Sequence, residues 1–142
     1  MKLRIAFLVL AAVWTASVTQ SSIKAQVAAA PSARTVWDGV YTDAQAERGV
    51  AVYQSACSEC HGADLTGDGF APALTGAEFT GNWNELSVGD LFERIRISMP
   101  PTGPSSVTPA QKADIVAHML KFNKYPAGKT DVLKLIKIEM KK

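Results

Sequence analysis

The five residues Cys57-Ser58-Glu59-Cys60-His61 constrain this chain more than any other feature. They hold the only two cysteines among 142 residues, with an imidazole directly after the second thiol. Two cysteines are too few for a disulfide scaffold, and thiols this close cannot staple distant parts of a fold, so their value is local chemistry. The setting is helical. Thr42, with Gln45 three residues later, makes a capping-box pattern, and Ala46, Gly49, Val50 and Tyr53 recur at helical spacing. That pattern predicts a first helix ending near Cys57.

Beyond the motif, Gly62, Gly67, Gly69, Gly76, Gly81 and Pro72 mark residues 62–86 as mostly loop, with one helical turn near 76–79. A loop of that length inside a compact domain needs something to wrap around. Ser87 and Asp90 predict a second capped start, and Leu91, Phe92, Ile95 and Ile97 carry a short helix that stops before Pro100. Thr108, Pro109 and Gln111 give the clearest helix start in the chain. Ile115, Val116, Met119 and Leu120 supply its buried stripe, and Asn123 followed by Pro126 ends it. Nothing reads as an alternating strand, so the expected fold class is all-α. The region 37–125 is near the size at which a single core is marginal without a metal, disulfides or another staple.

Four segments are expected: a signal peptide over 1–25, a flexible linker over 26–36, a domain over 37–125 and a basic C-terminal extension over 126–142. Lys2 and Arg4 precede the apolar run Ile5–Trp14 and a small, polar stretch, the order of an export signal, with cleavage after Ala25. The 14 residues from Ile5 to Val18 fall short of the roughly 20 that a spanning helix needs. Export, with a periplasmic location and no stable membrane span after signal removal, is therefore expected ahead of a retained N-terminal anchor. Formal charge is +2, but residues 1–25 hold three basic groups and no acid, so the remainder carries 12 − 13 = −1. That balance argues against nucleic acid as a partner. The last 19 residues hold six lysines against Asp131 and Glu139. They read as solvated surface ahead of a patch that steers towards an acidic partner or lipid.

C-x-x-C-H is the spacing of covalent c-type haem attachment. Both thiols add to the vinyl groups on one porphyrin edge, and a histidine directly after the second thioether swings under the ring to bind iron. Such attachment occurs beyond the cytoplasmic membrane, which agrees with an export signal. Two other readings fit less well. A thioredoxin-like dithiol expects a βαβ setting. A zinc site needs four ligands, and the chain offers only Cys57, Cys60, His61 and His118, with His61 cramped beside a thiolate.

Over about residues 40–125 the chain resembles a class I cytochrome c, the monohaem c-type family. The attachment motif ends helix one, Pro72 lies eleven residues past His61, Met99-Pro100 comes later, and an amphipathic helix closes the domain. The opening Val36-Trp37-Asp38-Gly39-Val40-Tyr41-Thr42, with Gln45 and Arg48-Gly49, also resembles cytochrome modules found beside or fused to quinoprotein dehydrogenases. The resemblance implies helices and loops wrapped around one haem c, bound through Cys57 and Cys60, with His61 as one axial ligand. Met99, Met119, Met140 and His118 are the candidates for the other. Met99 leads, because it stands on a proline-broken segment and family members place the ligand methionine just before proline. Met119 reads as core packing, and His118 as a helix contact facing Gly49 and Tyr53 where the family carries an aromatic. Pro72 matches the proline whose carbonyl accepts a hydrogen bond from the proximal histidine. Leu74, with Phe79, Leu91, Phe92 and Ile95, is a candidate for the apolar wall. Trp83, Arg94 and Arg96 are candidates for holding haem propionates, with surface ion pairs an equal reading for the arginines.

A haem with both axial positions filled by side chains has no open position for substrate, so the implied role is single-electron transfer rather than catalysis. The implied partners are redox proteins: a dehydrogenase as donor, an oxidase or another cytochrome as acceptor. Two alternatives stand beside the free carrier. One is the haem subunit of an exported, quinoprotein-type dehydrogenase complex. The other is a haem enzyme or gas sensor with a labile Met99.

Overall fold

A computed structural model of the protein describes residues 34–131. The expected signal peptide, the linker up to residue 33 and the extension from residue 132, Met140 included, lie outside the described residues. The described residues form five α-helices: α1 (Asp43–Ala56), α2 (Ser58–His61), α3 (Gly76–Trp83), α4 (Val88–Ser98) and α5 (Pro109–Phe122). Short 3-10 turns lie at Val36–Asp38 and Pro104–Ser106. Among the described residues there is no strand, and the fold is all-α.

Each long helix starts where a short polar side chain satisfies its orphan amides. Thr42 accepts from the Gln45 amide at the head of α1. Ser87 and Asp90 form a reciprocal capping box on α4, and Thr108 and Gln111 form another on α5 with Pro109 in the first turn. The Asp90 carboxylate is held below its usual range by the Ser87 hydroxyl and amide that donate to it.

Helices α1 and α5 make the principal helix pair. The α1 face carrying Ala46, Gly49 and Tyr53 meets the α5 face carrying Ala113, Val116, Ala117 and Leu120, all buried. Gly49 is the point of closest approach. A Cβ there would lie 2.0 Å from the Asp114 carbonyl oxygen and 2.9 Å from His118 Cβ. Arg48 spans the same crossing with a two-pronged pair to Asp114 at 3.1 and 3.0 Å.

The core also draws on segments outside the helices. Val36 is fully buried, Tyr41 donates its hydroxyl to the Tyr125 carbonyl at 2.6 Å, and the Gly128 amide donates to the Tyr41 carbonyl at 2.6 Å. The buried core thus runs from Val36, inside the expected linker, to Tyr125, and a backbone bond ties Gly128, inside the expected extension, to Tyr41. Two local expectations change. The single turn expected at 76–79 is an eight-residue helix, because Phe79 is fully buried and α3 continues to Trp83. Ile97 does not share the buried face of α4 with Leu91, Phe92 and Ile95. It is 56 % exposed, since two residues past Ile95 is the opposite side of a helix.

Candidate functional site

Cys57 interrupts the chain between α1 and α2. Its amide still bonds back to the Tyr53 carbonyl at 2.9 Å, while its own carbonyl accepts from Cys60 at 3.2 Å and His61 at 3.0 Å. The motif is therefore one fresh helical turn, which places positions 57, 60 and 61 on one side. Cys60 is exposed, Cys57 half-buried and His61 buried. Burial pushes the Cys57 thiol above its ordinary range, the reverse of a thiol activated for disulfide exchange.

The following loop is tied back onto His61. Gly67, with φ +75°, donates to the His61 carbonyl at 2.8 Å, and a Cβ there would meet the Ala71 carbonyl oxygen at 2.5 Å. Asp68 accepts from the amides of Phe70 and Ala71 at 2.9 and 2.8 Å, bonds that hold its carboxylate below the usual range. The turn so formed aims the Pro72 carbonyl at the imidazole, 2.9 Å from His61 Nδ1. A carbonyl only accepts, so Nδ1 carries the proton and the Nε2 lone pair of the neutral ring is left for a metal. Tyr53 anchors the start of the loop, donating its hydroxyl to the Gly62 carbonyl at 2.7 Å. Asn123, at the end of α5, anchors the far side by donating to the Leu74 carbonyl at 2.9 Å and accepting from the Gly76 amide at 3.1 Å. Sequence reading assigned Asn123 only the role of helix stop. Its second contact spans 47 residues and has no local signature.

Met99 caps the C-terminal end of α4 in extended conformation, half-buried, with its amide donating to the Ile95 carbonyl at 3.0 Å. Met99, Cys57, Leu74 and Trp83 are all packed on the core without being fully covered by it. Met119 is almost fully buried in the stripe of α5. His118 lies against Tyr53 and Phe122, with ring centroids 5.2 and 6.2 Å apart, and among the described residues its buried Nε2 has no hydrogen-bond partner. Burial, aided by the charge of Lys121, pushes its pKa down. Arg94 is exposed, and Arg96 is held by Glu93 in a two-pronged pair with both distances 2.6 Å. Pro72 is exposed apart from the carbonyl it offers.

Among the described residues no three histidine, cysteine or acidic side chains converge as a metal cluster, which leaves the zinc reading without ligands. A haem fits these donors. It needs one imidazole nitrogen with its ring fixed by a hydrogen bond on the other, two neighbouring thiols and an apolar rim. His61, the cysteine pair and the incompletely covered Cys57, Leu74, Trp83 and Met99 supply them.

Residues 44–119 match the family described as cytochrome c oxidase, cbb3-type, subunit III, a span covering more than half of the chain. The chain belongs to this family. It is a monohaem c-type cytochrome, and its chemistry is haem-based electron transfer. The matched span runs from the first turn of α1 into the last third of α5 and takes in the cysteine pair, His61, Pro72 and Met99. Neither the curated proteins nor the solved structures contain a match to the chain.

Proposed function

We propose that the protein is an exported single-electron carrier in which Cys57 and Cys60 would hold one haem c and His61 and Met99 would bind its iron. The observation that carries this reading is the His61–Pro72 hydrogen bond, which presents Nε2 of a fixed imidazole beside the two thiols. When bound, the haem supplies an iron that gains or loses one electron with its two axial ligands kept in place. The Pro72 carbonyl orients the His61 ring and strengthens its donor nitrogen. The Met99 thioether favours ferrous iron relative to a second imidazole, and the apolar side chains of Leu74, Phe79 and Leu91 keep water from the cofactor. Trp83 and Arg94 are proposed to meet the propionates, with Arg96 joining them only by giving up Glu93.

Partner chemistry follows from charge. From residue 49 to 93 the chain holds seven carboxylates and no lysine or arginine, all seven carboxylates are exposed, and the attachment motif lies among them. Phe70, fully exposed on the same stretch, offers an apolar contact. A redox partner with a basic docking face suits this surface, and its encounters are small and transient. Exchange with a cationic ruthenium ammine should slow as salt rises, and exchange with ferricyanide should speed up. The family description favours a second reading, a haem subunit held in a stable oxidoreductase complex, which co-purification persisting at high salt would support. Export rests on the sequence of residues 1–25. Among the described residues no helix is long and apolar enough to cross a membrane.

Spectra of the ferric protein test the ligand assignment. Met99→Ala should abolish the thioether-to-iron charge-transfer band, and Met119→Ala should keep it. A band that survives Met99→Ala would remove Met99 from the site.

A further inference from the structure

Lys112 is a lysine in the wrong place for an ordinary surface cation. It lies one turn into α5 and is 1 % exposed. All three protons of its ammonium are directed at backbone carbonyls: Pro104 at 2.7 Å, Arg96 at 2.9 Å and Ile95 at 3.2 Å. Among the described residues no carboxylate pairs with it. Three carbonyl dipoles meet the charge, and two of these belong to the last turn of α4, where orphan carbonyls gather and the helix dipole is negative.

These acceptors bracket Met99. Ile95 and Arg96 stand just before it in sequence and Pro104 just after, so one ammonium closes both ends of the segment that carries the thioether. The Ile95 carbonyl is shared, since it also accepts the Met99 amide at 3.0 Å. Lys112 and the Met99 backbone are therefore joined through a single oxygen atom. A buried ion is seldom the most stable way to fill such a space, and an apolar side chain of the same length would pack there without drawing the two strands of backbone together.

We propose that Lys112 is a positioning residue for Met99, its ammonium clamping the end of α4 to the Pro104 turn so that the thioether stays on the iron. This rests on the His61/Met99 reading above. Without the clamp, segment 97–103 loosens and an added ligand competes more easily for the position Met99 holds.

The test is an imidazole titration of the ferric holoprotein, read by disappearance of the thioether charge-transfer band, in wild type, Lys112→Met, Lys112→Gln and Met99→Ala. Lys112→Met keeps the side chain as far as Cε and removes every donor. Displacement at roughly tenfold lower imidazole or less is expected for it, the scale of one lost hydrogen bond to a charged group. Lys112→Gln, which keeps a donor without the charge, should fall between it and wild type. A Lys112→Met midpoint equal to wild type would overturn the clamp while leaving Met99 as ligand. If Lys112→Met cannot be isolated folded, the Lys112→Gln midpoint decides in the same way. A band that persists in Met99→Ala would overturn the ligand reading itself, and the clamp with it.

Discussion

The two proposed axial ligands are held by different means. His61 is fixed by many small, mostly backbone contacts: the turn from Cys57, the Gly67 amide, the Pro72 carbonyl, and the Tyr53 and Asn123 side chains that pin the loop ends. Met99 follows the last turn of a helix, and the chain on either side of it is gathered by one lysine. A ligand supported by dispersed backbone bonds loses little when any one of them goes. The Met99 segment has fewer bonds of its own, the Met99 amide on the Ile95 carbonyl and the Gly103 amide on the Pro100 carbonyl, both at 3.0 Å, and one buried ammonium joins its two ends. The difference teaches that one face of such a site can be robust while the other is tunable through one residue.

The surest way to erase the contrast is to open the helix crossing that underlies both sides. Gly49→Ala puts a carbon 2.0 Å from the Asp114 carbonyl oxygen, so α1 and α5 must separate. A loss of about 3 kcal/mol in denaturant unfolding is expected, and a loss under about 1 would show that the crossing yields. Asn123→Ala sharpens the contrast by striking the His61 side alone. Losing its bonds to Leu74 and Gly76 should lower stability by about 2 kcal/mol and leave imidazole displacement of Met99 unchanged. Equal displacement shifts in Asn123→Ala and Lys112→Met would collapse the distinction.

A smaller effect is expected for Tyr53→Phe, which removes the bond to Gly62 at about 1 kcal/mol. The Tyr53 hydroxyl is pushed up to about 12, first of all by burial, with the Asp64 carboxylate adding to it. Its folded pKa lies above the ordinary 10.0, so its contribution is complete below that pH and is lost as pH rises towards 12. Stability measured across that alkaline window should fall less steeply in Tyr53→Phe than in wild type. Smallest of all is Arg96→Gln. Its pair with Glu93 is about half exposed on both sides, so stability should move by less than about 0.5 kcal/mol. A shift in reduction potential without a shift in stability would show that Arg96 reaches the cofactor.

Much of the fold was legible because its signals are local. Thr42, Ser87 and Thr108 each act on amides two or three residues away, and the stripes of α4 and α5 follow helical period. The Ile97 expectation failed because hydrophobicity was counted without its angle, and α3 was underestimated because one buried phenylalanine carries little periodic signal. Of the candidate site, the cysteine pair and His61 stood out because attachment chemistry dictates their types and spacing, and Met99 came forward through its proline-broken segment and the family resemblance. Lys112 was invisible. In sequence it is one more cation on an amphipathic helix, and only the return of Pro104 over the end of α4 turns it inward.

The sequence by itself determined where the helices start and how the cysteine pair and His61 are spaced, since both depend on residues a few positions apart. Only tertiary structure decided which contacts hold the chain around the two candidate ligands. Asn123 reaches Leu74, and Lys112 reaches Ile95, Arg96 and Pro104, across gaps of chain that leave no periodic trace. Such contacts exist only once α5 has been packed against the end of α4 and the loop before α3.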